Sequence, residues 1–93
     1  MPTFKVAIPS VLRSYTGGAA RVEARVDSDA PRLCDVFAAL DAAYPGIRFR
    51  MVDEAGHVRP HVQVFVGGAV QRDPGTALTP GDEIMIVGAL SGG

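Results

Sequence analysis

Apolar residues recur at every second position, then at every third or fourth, then at every second again, and this double change of period leaves few folds open. Phe4, Val6 and Ile8 share one face of a first strand, Phe4 to Ile8, which Pro9 ends. Tyr15-Thr16-Gly17-Gly18 reads as a turn. Arg21 to Val26 then resumes alternation, with Val22, Ala24 and Val26 inward and Arg21, Glu23 and Arg25 outward. Asp27-Ser28-Asp29-Ala30-Pro31 offers capping side chains and a proline suited to a helix entry, without singling out the N-cap. Leu33, Val36, Phe37, Leu40 and Tyr44 follow at three- and four-residue steps. They form one helical stripe, with Arg32, Asp35, Ala39 and Asp41 off it, and Pro45-Gly46 stops the helix.

Beyond the helix, Ile47 to Arg59 is a polar excursion punctuated by Asp53-Glu54-Ala55-Gly56, with a short strand expected near Arg48 to Val52. His61 to Val66 returns to strict alternation: Val62, Val64 and Val66 on one face, Gln63 and Phe65 on the other. Gly67-Gly68 then suits a tight hairpin. A Pro- and Gly-rich connection from Arg72 to Ala77 leads to the turn Thr79-Pro80-Gly81-Asp82. The most apolar strand, Glu83 to Val87, follows. Strand, strand, helix, strand, strand is an α+β roll, a mixed sheet of four to five strands with one main helix across one face. The inward residues Phe4, Val6, Ile8, Val62, Val64, Val66, Ile84 and Ile86 would cover the helical stripe.

At 93 residues there is room for one core, and 47% apolar with 20% charged residues is the balance of a soluble globule. Nine Lys and Arg against ten Asp and Glu supply no basic field for nucleic acid or an anionic membrane. The first residues lack the apolar core of a signal peptide and no stretch approaches the ~20 apolar residues that span a bilayer, so a cytoplasmic protein is expected.

The residue pattern points away from catalysis by side chains. Cys34, the single cysteine, excludes an internal disulfide; it stands beside Leu33 and reads as a small buried hydrophobe. His57 and His61 have the i, i+4 spacing of a helical metal pair, but Pro60 between them breaks a helix, so no metal site is expected. Gly17-Gly18 lacks the strand-to-helix setting of a phosphate loop. Arg13, Arg21, Arg25, Arg48, Arg50, Arg59 and Arg72 read as solvated positions balanced by acids. One feature is left over. The last core strand runs into Leu90-Ser91-Gly92-Gly93, and glycines without Cβ can thread a narrow channel and present a carboxylate.

Ile8-Pro9-Ser10-Val11-Leu12-Arg13, Thr16-Gly17-Gly18, Pro60 to Gly67, Gly81-Asp82-Glu83-Ile84 and Ser91-Gly92-Gly93 together resemble the MoaD/ThiS family of sulfur carriers. The likeness covers nearly the whole chain, and the opening segment is especially similar to the actinobacterial cysteine-synthesis branch. The resemblance implies a ubiquitin-like β-grasp fold over residues 1–88 and a free C-terminal Gly-Gly tail over residues 89–93. It also implies a cycle: an E1-like adenylyltransferase activates the Gly93 carboxylate with ATP, and a sulfur donor displaces AMP to leave a thiocarboxylate. Leu90, Ser91 and Gly92 would thread the tail into partners, and no cofactor would be bound. The acceptor would be a PLP-dependent cysteine synthase or another sulfur-inserting synthase.

Such a carrier needs docking surfaces, and strand parity nominates Phe65, Met85 and Val87, apolar residues on the sheet face away from the helix. The competing expectation is that Ile47 to Arg59 folds over that face. Three other functions fit the same residues: a protein modifier joined to lysines through Gly93, the small subunit of molybdopterin synthase, or a plain binding subunit whose tail only closes a partner's pocket.

Overall fold

The computed structural model describes residues 2–88 of the chain. Strands β1 (Thr3–Ala7), β2 (Arg21–Arg25), β3 (Val62–Val66), β4 (Ala69–Val70) and β5 (Glu83–Gly88) form one sheet in the order β2-β1-β5-β3-β4. β1 and β5 run parallel and every other pair is antiparallel, which makes the sheet mixed. The main helix, α1 (Leu33–Ala43), packs across one face, and a one-turn helix, α2 (Arg48–Met51), lies against it.

The inner face is the one alternation selects. Phe4, Val6, Val64, Ile84 and Ile86 are fully buried and meet Leu33, Val36, Phe37 and Leu40 of α1 in a single cluster. Val22 and Ala24 of β2, and Val26 just beyond it, join it as expected, and Val66 and Tyr44 pack at its margin. Gly67 and Gly68 both have positive φ, +56° and +87°, the conformation of a two-residue turn that β-carbon-bearing residues resist. That turn sets the register Phe65 opposite Val70 and creates β4, a strand that the alternation does not announce.

Five expectations are corrected. Arg48 to Val52 is not a strand: Arg48–Met51 turn helically, and only Val52 bridges, to Val58. Ile47, Met51, Val52 and Val58 are buried in the main core, so the excursion tucks under α1 and leaves the opposite sheet face uncovered. Its period was obscured because Asp53 builds the intervening turn: its Oδ1 accepts from the Ala55 and His57 amides, both at 2.9 Å.

Cys34 is exposed, not buried, because the helical stripe runs through its neighbour Leu33 and through Phe37. None of Asp27, Ser28 and Asp29 caps the helix. The Leu33 and Cys34 amides donate instead to the carbonyls of Thr76 (2.9 Å) and Pro74 (2.8 Å), and Asp35 Oδ2 accepts from the Arg32 amide at 2.8 Å.

Several arginines bind backbone oxygens rather than acids. Arg72 donates to the carbonyls of Val62 (2.8 Å), Val58 (2.9 Å) and Arg59 (3.0 Å), and Arg13 donates to that of Ile8 at 3.0 Å. Arg72 thereby ties the start of β3 to the connection ahead of it.

Candidate functional site

The candidate site is the outer face of the sheet together with the point from which the chain continues past Gly88. A single cross-strand row runs over this face, from Arg21 through Ala7, Met85 and Phe65 to Val70. Its middle is apolar. Met85 is 45% exposed although it stands on β5, between β1 and β3, and Val70 and Val87 are exposed beside it. Phe65 is half-buried, flanked by Met85 on one side and Val70 on the other. A neighbouring row, Glu23, Lys5 and Glu83, alternates in sign and borders the apolar stripe with solvated charge. A shallow depression between Lys5, Arg21, Phe65, Gly68, Glu83 and Met85 gives the stripe relief.

Phe65, Met85 and Val87 therefore share the face that parity assigns to them. Val70 belongs with them and was missed; counting the two-residue Gly67-Gly68 turn would have paired it with Phe65. Val11 was missed too. It lies in the 3₁₀ turn Ser10–Leu12 with an exposed side chain, and a Cβ on Gly88 would come within 3.0 Å of its Cγ2. Glycine at position 88 lets this turn pass close to the end of β5, a proximity that no local pattern signals.

Leu90, Ser91, Gly92 and Gly93, assigned to the tail and its reactive end, lie outside the described residues. The base of that tail is fixed. Gly88 pairs with Val62, whose amide donates to the Arg59 carbonyl at 3.0 Å, so the segments around Arg59 and Val11 both border the point of continuation.

His57 and His61 flank Pro60 and are not on a helix. His57 Nδ1 stands 3.8 Å from Asp53 Oδ2, both exposed. The Asp53 carboxyl is held below the usual carboxylate range, first by the hydrogen bond from the His57 amide, then by that from Ala55, with the charges of His57 and Arg59 adding to it. Among the described residues no three of His, Cys, Asp and Glu converge as a metal site would need, and no helix is long and apolar enough to cross a membrane.

A comparison with protein-family models matches none. Among curated proteins, the sulfur carrier protein CysO of Mycobacterium tuberculosis (strain H37Rv) is 36% identical over 93 residues, covering 95% of this chain and 96% of that one. Among solved structures, the crystal structure of Mycobacterium tuberculosis CysO, an antigen, superposes with a TM-score of 0.79 at 30% identity, covering 94% of this chain and 99% of that one. The Amycolatopsis orientalis BexX/CysO complex superposes with a TM-score of 0.83 at 27% identity, covering 97% of this chain and 99% of the matched one.

Proposed function

The chain belongs to the family of CysO-type, ubiquitin-like sulfur carrier proteins, and on that premise we propose that it carries sulfur as a thiocarboxylate on Gly93. What carries this reading is identity at 36% over 95% of the chain to a protein named a sulfur carrier.

A carboxylate with a pKa of about 3.3–3.7 is ionised at neutral pH and repels nucleophiles. An ATP-dependent, E1-like adenylyltransferase removes that obstacle: a Gly93 oxygen attacks the α-phosphate, pyrophosphate leaves, and an acyl adenylate forms. A sulfur nucleophile then adds to the acyl carbon and AMP departs with the former carboxylate oxygen, leaving sulfur on the chain. The thiocarboxylate delivers that sulfur to a second enzyme, in the reading we favour a PLP-dependent cysteine synthase. ATP is consumed by the activating enzyme, and the work is cytoplasmic.

In this cycle the partners supply the catalytic groups. The relatives are named as carriers rather than enzymes. This chain contributes a rigid domain, residues 1–88, a tail, residues 89–93, and the docking stripe Phe65, Met85 and Val87 with Val70. Leu90, Ser91 and Gly92 lead Gly93 into the partner's channel, the two glycines passing where a Cβ would block. One neighbour was solved in complex with another protein, BexX, which supports a life spent docking.

AMP release tests the reading. With the MoaD/ThiS-type activating enzyme of the same organism, ATP and a sulfide source, AMP should accumulate in proportion to the full-length chain and not with a chain lacking Gly92 and Gly93. Full partner activity with the shortened chain would replace the carrier by a plain binding subunit.

A further inference from the structure

The most exposed large apolar side chain in the described molecule is Phe49, at 57%, and it does not belong to the outer sheet face. It stands on α2 with its back to the core: Ile47 and Met51 are buried, while Arg48, Phe49 and Arg50 are exposed. Two arginines are locked beside it. Arg50 donates its Nε to the Tyr15 hydroxyl at 2.8 Å, and Arg59 donates its Nε to the Phe49 carbonyl at 2.7 Å. In both, the two terminal nitrogens have no hydrogen-bond partner among the described residues.

A guanidinium held by its Nε presents its terminal fork already oriented, which lowers the ordering cost of gripping a carboxylate bidentately. The acids of the neighbourhood are turned elsewhere. Asp41 Oδ1 accepts from the Gly46 and Arg48 amides; Asp53, whose carboxylate feels Arg59, gives its Oδ1 to the Ala55 and His57 amides.

Arg59 precedes the strand that pairs with Gly88, and Tyr15 follows the turn whose Val11 approaches Gly88. The segments that anchor Arg59 and Arg50 beside Phe49 thus both lead to the base of the tail.

We propose that Phe49, Arg50 and Arg59 form a second docking element, which takes a protein surface carrying carboxylates around an apolar socket. This rests on the carrier reading, because the partner is the enzyme that accepts the tail, gripped at its channel mouth. Charge complementarity selects that occupant: two arginines with no salt-bridged acid among the described residues suit a few carboxylates, and a chain of net charge −1 is poorly suited to a polyanion.

The test compares the KM of the activating enzyme for the wild-type chain, Phe49→Ser, Arg50→Glu and the Arg50→Glu/Arg59→Glu double variant. Assays run at about 0.05 M and about 0.3 M salt, with thermal melts confirming folding. The double variant should raise KM at least about tenfold at low salt, with kcat unchanged and the gap narrowing at high salt. Arg50→Glu alone, whose one side-chain bond is to an exposed hydroxyl, should move KM in the same direction, as should Phe49→Ser.

An unchanged KM in all three, with Met85→Glu still raising it, would overturn the proposal while leaving the carrier intact. If the wild type itself accepts no sulfur, the carrier reading fails. Calorimetric titration against the same enzyme then decides the docking element by whether these variants weaken binding. A dimer of the wild type that Phe49→Ser disperses would assign the surface to a second copy and overturn it too.

Discussion

The two faces of the sheet are made by the same five strands and differ in everything else. Inward, Val6, Ile84 and Val66 share a row that α1 covers; one residue along each strand, Ala7, Met85 and Phe65 share a row that nothing in the described chain covers. The inner row needs its apolar residues for folding, since burying them against Phe37 and Leu40 is what holds the domain together. The outer row gains little from Met85 and Val87, because exposed apolar groups stabilise a monomer hardly at all. Their presence is better explained by what docks than by what folds. Substitutions on the two faces should therefore separate stability from function.

The largest effect is expected inside. Phe37→Ala should cost about 3–5 kcal/mol in urea denaturation, whereas Met85→Ala should stay within about 0.5 kcal/mol. Comparable losses from both would break the distinction between the faces.

Most of this division was readable before the structure. The two-residue period separates Val62, Val64 and Val66 from Phe65, and Glu83 to Val87 splits into buried Ile84 and Ile86 and exposed Met85 and Val87, because a strand has only two sides. Where periods were short or interrupted, reading failed. Four residues of α2 are too few to display a helical stripe, so Phe49 was hidden inside a supposed strand. Cys34 was placed in the core because its neighbour is, yet one step along a helix turns a side chain by roughly 100°. The cap of α1 was illegible for another reason: its acceptors, the carbonyls of Pro74 and Thr76, are about forty residues away in sequence, beyond any local pattern.

Arg72 sharpens the comparison at its edge. Arg72→Met removes three charge-assisted bonds to the carbonyls around the start of β3 and should cost about 2 kcal/mol while leaving the outer row in place. Activation measured well below the melting temperature should then be unchanged. A loss of activation without unfolding would show that the start of β3 is itself read by partners.

A smaller energy with a larger functional meaning belongs to Met85→Glu. It should leave the denaturation midpoint nearly unmoved and raise the activating enzyme's KM about tenfold, as expected for a charge placed in a desolvated contact. Phe65→Glu should act in the same direction with some loss of stability, because Phe65 is half-buried.

The smallest effect is the pH response of the turn built by Asp53. Because its folded pKa is depressed, its stabilisation is present above the unfolded carboxylate value of about 3.9 and is lost as pH falls below that through the folded value. Hydrogen exchange at the Ala55 and His57 amides, corrected for its intrinsic pH dependence, should lose protection over that acid range, and Asp53→Asn should show less protection already at neutral pH. The outer sheet face should not respond.

The central claim, that sulfur is carried on Gly93, is tested most directly by the intact mass of the chain after incubation with ATP, a sulfide source and the activating enzyme, beside a chain lacking Gly93. The account predicts an oxygen-to-sulfur mass gain in the full-length chain and none in the shortened one. No gain in the full-length chain, with the same enzyme proven active on another carrier, would contradict it.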